Sequence, residues 1–227
     1  MAIIVMAIGQ SGTGKSTSLR NFKAGEVAIM NINGKPLPFK NTDLKVFNPK
    51  RGLDANGQPY PNEYTQIMQV IPAAISKGIK AIVIDDVTYL MTKEFMRTSN
   101  QKGYDKFNLM ATNFNSLLEY LQMLPDDVVV YLLGHTEYAD DGREHFKTVG
   151  KMIDNYINVE GCVTIVLKTV VQDGNYFFST RNSGQDTVKT PLGMFAEPLI
   201  DNDLKAVDGA IRKYYGIAKA PAKEGKK

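Results

Sequence analysis

The chain has one cysteine, two histidines and no tryptophan among its 227 residues. A lone thiol at Cys162 excludes an internal disulfide framework, and with His135 and His145 it gives no zinc-ligand spacing. These absences suit an intracellular protein without structural metal. Long apolar runs are also missing: none approaches the roughly 18 residues that a membrane-spanning helix needs. The first run, 2–8, is too short for a signal peptide, lacks a basic leader and enters a glycine-rich loop. A soluble protein with no membrane partner is expected. Charge imbalance is small, at +3 with a pI near 8.7. Part of it comes from Lys219, Lys223, Lys226 and Lys227, so 217–227 is expected to be a disordered basic tail. A solvated terminus weighs more than a nucleic-acid-binding arm.

What is present fits a single α/β domain over 1–216, since 43% of residues are hydrophobic and 22% charged. Strands are expected at 2–8, 27–32, 80–84 and 128–133, with a short one at 44–47 in the Pro/Gly/Asn-rich connection 33–62. Helices are expected at 15–22, 63–77, 89–97, 109–124, 150–158 and 203–215, with Pro72 a kink or boundary. Alternating runs at 163–171 and 176–180, joined by Asp173-Gly174, read as a hairpin. The β–α alternation predicts a three-layer sandwich with a mostly parallel central sheet and a C-terminal antiparallel hairpin.

Between the first strand and its helix lies Gly9-Gln10-Ser11-Gly12-Thr13-Gly14-Lys15-Ser16. This is the P-loop spacing, whose glycines let backbone N–H groups curl around phosphate oxygens at the start of a helix. Strand before and helix after are the context that gives the pattern meaning. Lys15 suits the β- and γ-phosphates of ATP, Ser16 the shell of a Mg2+ ion, and Thr17 the α-phosphate. The apolar strand 80–84 delivers Asp85 and Asp86 at its end, and Asp85 suits the same Mg2+ ion. Asp86 has two readings: it orients or deprotonates an attacking water, or it caps the segment starting at Thr88. His135 ends another core strand and is the candidate sensor of the γ-phosphate, with Thr136 the alternative. Arg143, Lys147, Lys151, Arg181 and Lys189 are candidates to neutralise transition-state charge, Lys151 foremost.

Gly9 to Ser16, Ile82-Val83-Ile84-Asp85-Asp86, Thr148-Val149-Gly150-Lys151 and 186–195 together resemble phage-encoded, RecA-like P-loop proteins of the AAA-type ATPase group. That group includes single-strand annealing proteins of the Sak class. The resemblance spans 3–215 and implies a RecA-like core, ATP binding with hydrolysis, and work on single-stranded DNA in phage recombination or replication. It implies a homo-oligomer in the bacterial host cytoplasm, partnered by a phage recombination or single-strand-binding protein. RecA-type enzymes usually carry a catalytic glutamate at the end of the strand after the first helix. Here 27–35 reads VAIMNINGK, without a carboxylate. Asp86 and Glu63 are the candidate replacements; otherwise ATP serves chiefly as a conformational switch. Phe39, Tyr60, Tyr64, Tyr104 and Phe107, interleaved with Lys35, Lys40, Lys50, Arg51, Lys102 and Lys106, are candidates for gripping a single strand. A small-molecule kinase is a further reading, disfavoured because the arginines are too scattered for a lid.

Overall fold

The computed structural model describes residues 1–40, 43–100, 102–103, 105–149 and 157–217. Apolar runs become strands: β1 (Ile3–Ile8), β2 (Val27–Asn31), β4 (Ala81–Asp85) and β5 (Val129–Gly134) are buried along almost their whole length. A short β3 (Val46–Phe47) lies beside β2 at one edge. At the other edge β8 (Ile165–Gln172) pairs parallel to β1, and β9 (Asn175–Ser179) and β10 (Leu199–Asp201) follow antiparallel. The sheet order is β10-β9-β8-β1-β5-β4-β2-β3, and β6 (Thr136–Tyr138) with β7 (Glu144–Phe146) makes a separate hairpin. The expected three-layer sandwich, mostly parallel with an antiparallel hairpin at one edge, is the architecture observed.

Strand side chains alternate between the faces, so each strand feeds two cores. Met6, Ile82, Ile84, Val130 and Leu132 meet α1 (Glu63–Ser76), α2 (Thr88–Arg97) and α3 (Asp105–Gln122). Val5, Val83, Tyr131 and Leu167 meet α4 (Leu204–Tyr215) and the short turn after the P-loop. Each fully buried aliphatic side chain contributes about 1.5–3 kcal/mol.

Pro72 does not break α1, which runs through to Ser76. A helical proline cannot donate to the carbonyl four residues back, and here the Tyr120 hydroxyl donates to Met68 O at 3.0 Å instead. The helix expected at 15–22 shrinks to a 3-10 turn at Ser16–Leu19. Serine and threonine compete for its backbone, as Ser18 Oγ donating to Lys15 O at 2.5 Å shows, and β2 begins soon after, at Val27. Neither the hairpin β6–β7 nor β10 is among the elements expected from the sequence. The helix expected at 150–158 lies mostly outside the described residues, as does the tail from 218 onward. No described helix is long and apolar enough to cross a membrane.

Candidate functional site

The parallel strands deliver their C-terminal ends to one rim, where a cleft of about 300 Å³ opens over the P-loop. Gly9 leaves β1 with its N–H on Gly134 O at 3.1 Å. A Cβ at Gly9 would sit 1.8 Å from Thr169 Oγ1, so only glycine lets the loop cross β8 this closely. Gly14 has φ 98°, a left-handed conformation that favours glycine, and packs under Tyr176 and Asn202. Lys15 is buried, with Nζ donating to Gly9 O at 2.8 Å and Gln10 O at 2.9 Å. Burial lowers its pKa, against the opposing pull of Asp86 and then Asp85.

Asp85 ends β4 in register with Asn31 on β2 and Leu133 on β5. Burial pushes its carboxyl up to about 6, although the Ser16 hydroxyl hydrogen-bonds it; Asp86 adds to the rise. Adjacent strand residues point apart, yet both Asp85 and Asp86 line the cleft, because β4 stops at Asp85 and the chain has already left the strand at Asp86. Asp86 Oδ1 accepts the N–H of Thr88 at 2.9 Å, at the start of α2. Its Oδ2 lies 2.6 Å from His135 Nδ1, an ion-pair distance without hydrogen-bond alignment. His135 is fixed further by Thr88 Oγ1, which accepts its N–H at 2.9 Å, and by Tyr89, whose ring meets the imidazole edge-on at 5.5 Å.

Residues 1–191 match the AAA domain family. The chain belongs to that family. As an AAA domain with an intact P-loop it is a nucleotide-binding protein of the ATPase type. No curated relative matches it. A solved KaiC-like protein from the hyperthermophilic archaeon Pyrococcus horikoshii OT3 is 12% identical, with a TM-score of 0.43 over 78% of this chain and 77% of that one.

The cleft of this AAA domain gathers Ser11, Gly12, Gly14, Lys15, Ser16 and Thr17 with Asp85, Asp86 and His135. Thr13 turns away: its Oγ1 donates to Gln10 O at 2.7 Å and lies 2.6 Å from Thr169 Oγ1. Gln10 instead reaches β6, donating to the carbonyl and hydroxyl oxygens of Thr136 at 3.1 and 3.0 Å. Thr136 in turn donates to Glu144, which pairs with Lys168, itself 2.9 Å from Asp186. That chain ties the P-loop to β6–β7 and to the 183–188 loop.

Sequence reasoning missed the far walls, where Asn31, Asn33, Lys35, Pro36, Leu37 and Tyr176 face the same space. Only Lys35 had been singled out, for DNA. Of the expected charge neutralisers, the four that lie among the described residues do not line the cleft. Arg143 pairs with Asp141 in solvent, Arg181 donates to Ala196 O, and Lys189 pairs by its backbone with Val166. Lys147 touches the site through its backbone, donating to His135 O at 2.8 Å. Lys151 lies outside the described residues. Glu63 is held by Arg51 and Arg97 and does not line the cleft, which removes it as a substitute base.

Proposed function

We propose that the chain binds ATP with Mg2+ in this cleft, hydrolyses it, and uses the cycle to act on single-stranded DNA in phage recombination or replication. The observation that carries the reading is the grouping of Lys15, Ser16, Asp85, Asp86 and His135 around one cleft on the P-loop. Among the described residues no group of three or more His, Cys, Asp or Glu side chains forms a self-sufficient metal cage. Ser16 and Asp85 are hard oxygen donors already in contact, and such a pair suits a Mg2+ ion that arrives with phosphate oxygens. The ion would supply neutralisation of phosphate charge.

In this reading Lys15 exchanges the carbonyl oxygens of Gly9 and Gln10 for phosphate oxygens, and the loop N–H groups complete the cradle. Asp86 orients His135 through Nδ1, leaving Nε2 to hydrogen-bond the γ-phosphate or to take a proton from the attacking water. Gln10, bonded to Thr136, passes a change at the γ-phosphate toward β6–β7. Oligomeric assembly, and a basic residue supplied in trans, belong to the same proposal.

A second reading, a nucleotide-switched interaction protein with little turnover, is favoured by Asn31 and Asn33 standing where a RecA-type glutamate is expected. Steady-state ATP hydrolysis with and without single-stranded DNA separates the two, with Lys15→Ala excluding contaminant activity. DNA-stimulated turnover that vanishes in the variant supports the recombination reading. Intact ATP binding with no turnover under either condition supports the switch.

A further inference from the structure

Just past β2, basic groups converge on one carboxylate and one carbonyl oxygen. Glu63, in the first turn of α1, is 1% exposed and accepts from Arg51 Nε at 3.1 Å and from Arg97 Nη1. Ile32 O accepts from Arg51 Nη2 at 3.0 Å and from Lys93 Nζ. Arg51 is placed by α1 itself: Gln66 accepts the N–H of Lys50 at 2.8 Å and donates to its carbonyl at 2.9 Å.

The cluster holds more positive charge than its structural task needs. Arg51, Arg97 and Lys93 all gather on Glu63, with Glu94 within electrostatic reach of Arg97, which leaves an excess of about one positive charge. The two arginine side chains remain 50% and 45% exposed. Lys93 is partly buried beside them, and burial, then Arg51, lowers its pKa to about 8. An incoming anion would relieve that repulsion. An aromatic ring stands alongside: Tyr60 donates its N–H to Gly52 O at 3.1 Å, and Lys50 Nζ lies 5.5 Å from its ring centroid.

The geometry points to a second phosphate-binding site, separate from the P-loop cleft, in which Arg51, Lys93 and Arg97 grip the phosphodiester backbone of single-stranded DNA. A backbone clamp of cations beside an aromatic ring is how single strands are held without regard to sequence. The site adjoins the nucleotide cleft through Asn31 and Asn33, which flank Ile32 and line that cleft. The inference rests on the reading of the chain as a single-stranded DNA protein.

The test is fluorescence anisotropy with labelled oligo(dT) across a potassium chloride series, on full-length protein. Arg97→Gln leaves Arg51 to pair with Glu63 and is expected to weaken binding about tenfold. Its salt slope should be shallower by about 0.7. Glu63→Gln keeps an acceptor but removes the opposing charge, so it should bind oligo(dT) several-fold more tightly, which a merely structural cluster would not do. Lys50→Ala, on the exposed rim, should weaken binding without disturbing the fold. A fluorescent ATP analogue should bind all of them as it binds wild type. Wild-type binding with unchanged affinity and salt slope in the variants would overturn the site while leaving the DNA reading standing. Absence of wild-type DNA binding, with ATP analogue binding intact, would overturn both.

Discussion

Gly9→Ala sets a methyl group against a hydroxyl that has nowhere to go. The added Cβ would lie 1.8 Å from Thr169 Oγ1 and 2.9 Å from Thr13 Oγ1. Thr169 is buried and its hydroxyl is held by Ile8 O at 3.2 Å and by Thr13 Oγ1, so rotating it away sacrifices those bonds. Overpacking costs about 1–3 kcal/mol and a lost hydrogen bond about 1, so the expected destabilisation is about 3 kcal/mol. At this chain length that lowers Tm by roughly 6–12 °C. Thr169→Ala alone should cost about 1 kcal/mol. In the double variant the 1.8 Å clash with Thr169 Oγ1 is gone, and the 2.9 Å approach to Thr13 Oγ1, itself released from its Thr169 partner, and the 3.2 Å approach to Thr169 Cβ remain. The pair should then be less destabilised than the sum of the singles by about 1–2 kcal/mol, read from urea denaturation midpoints. Strict additivity would show that Gly9 is not held by Thr169, and the packing account of this P-loop glycine would fail.

Asp208→Ala should cost about 3–5 kcal/mol by chemical denaturation, because Arg212 loses a 2.7 Å buried partner and the buried Tyr131 hydroxyl its acceptor at 3.0 Å. A loss below about 1 kcal/mol would mean that this pair does not anchor α4 to the sheet. Lys93, with a pKa lowered from 10.5 to about 8, gives up its proton in the folded chain before the unfolded one. Stability should therefore rise between about pH 8 and about pH 10.5, and Lys93→Met should flatten that rise in a comparison of urea midpoints. His135→Gln should retain ATP affinity while turnover falls by about tenfold or more, and an unchanged steady-state rate would remove His135 from the hydrolytic step.

The P-loop was legible because it is contiguous: strand, glycines and lysine follow one another, and the backbone geometry they require is local. The buried strands were legible for a similar reason, since continuous apolar runs such as 81–84 and 129–133 have few other ways to avoid water. Asp85 and Asp86 were visible as the polar end of such a run. The length of the helix after Lys15 was misjudged because its serines and threonines bond the backbone locally. Strand β10 escaped notice because Leu199–Asp201 is too short for a period and is strand only by pairing with β9.

Sequence by itself determined the phosphate cradle, the α/β alternation and the carboxylates at the end of β4, all of them local consequences of side-chain type and backbone freedom. Only the tertiary structure decided that Asp86 faces His135, that Tyr176 covers Gly14, and that Glu63 leaves the cleft for Arg51 and Arg97. Those pairings join residues far apart in the chain, and which charges and rings meet depends on strand order and register, which no local pattern encodes.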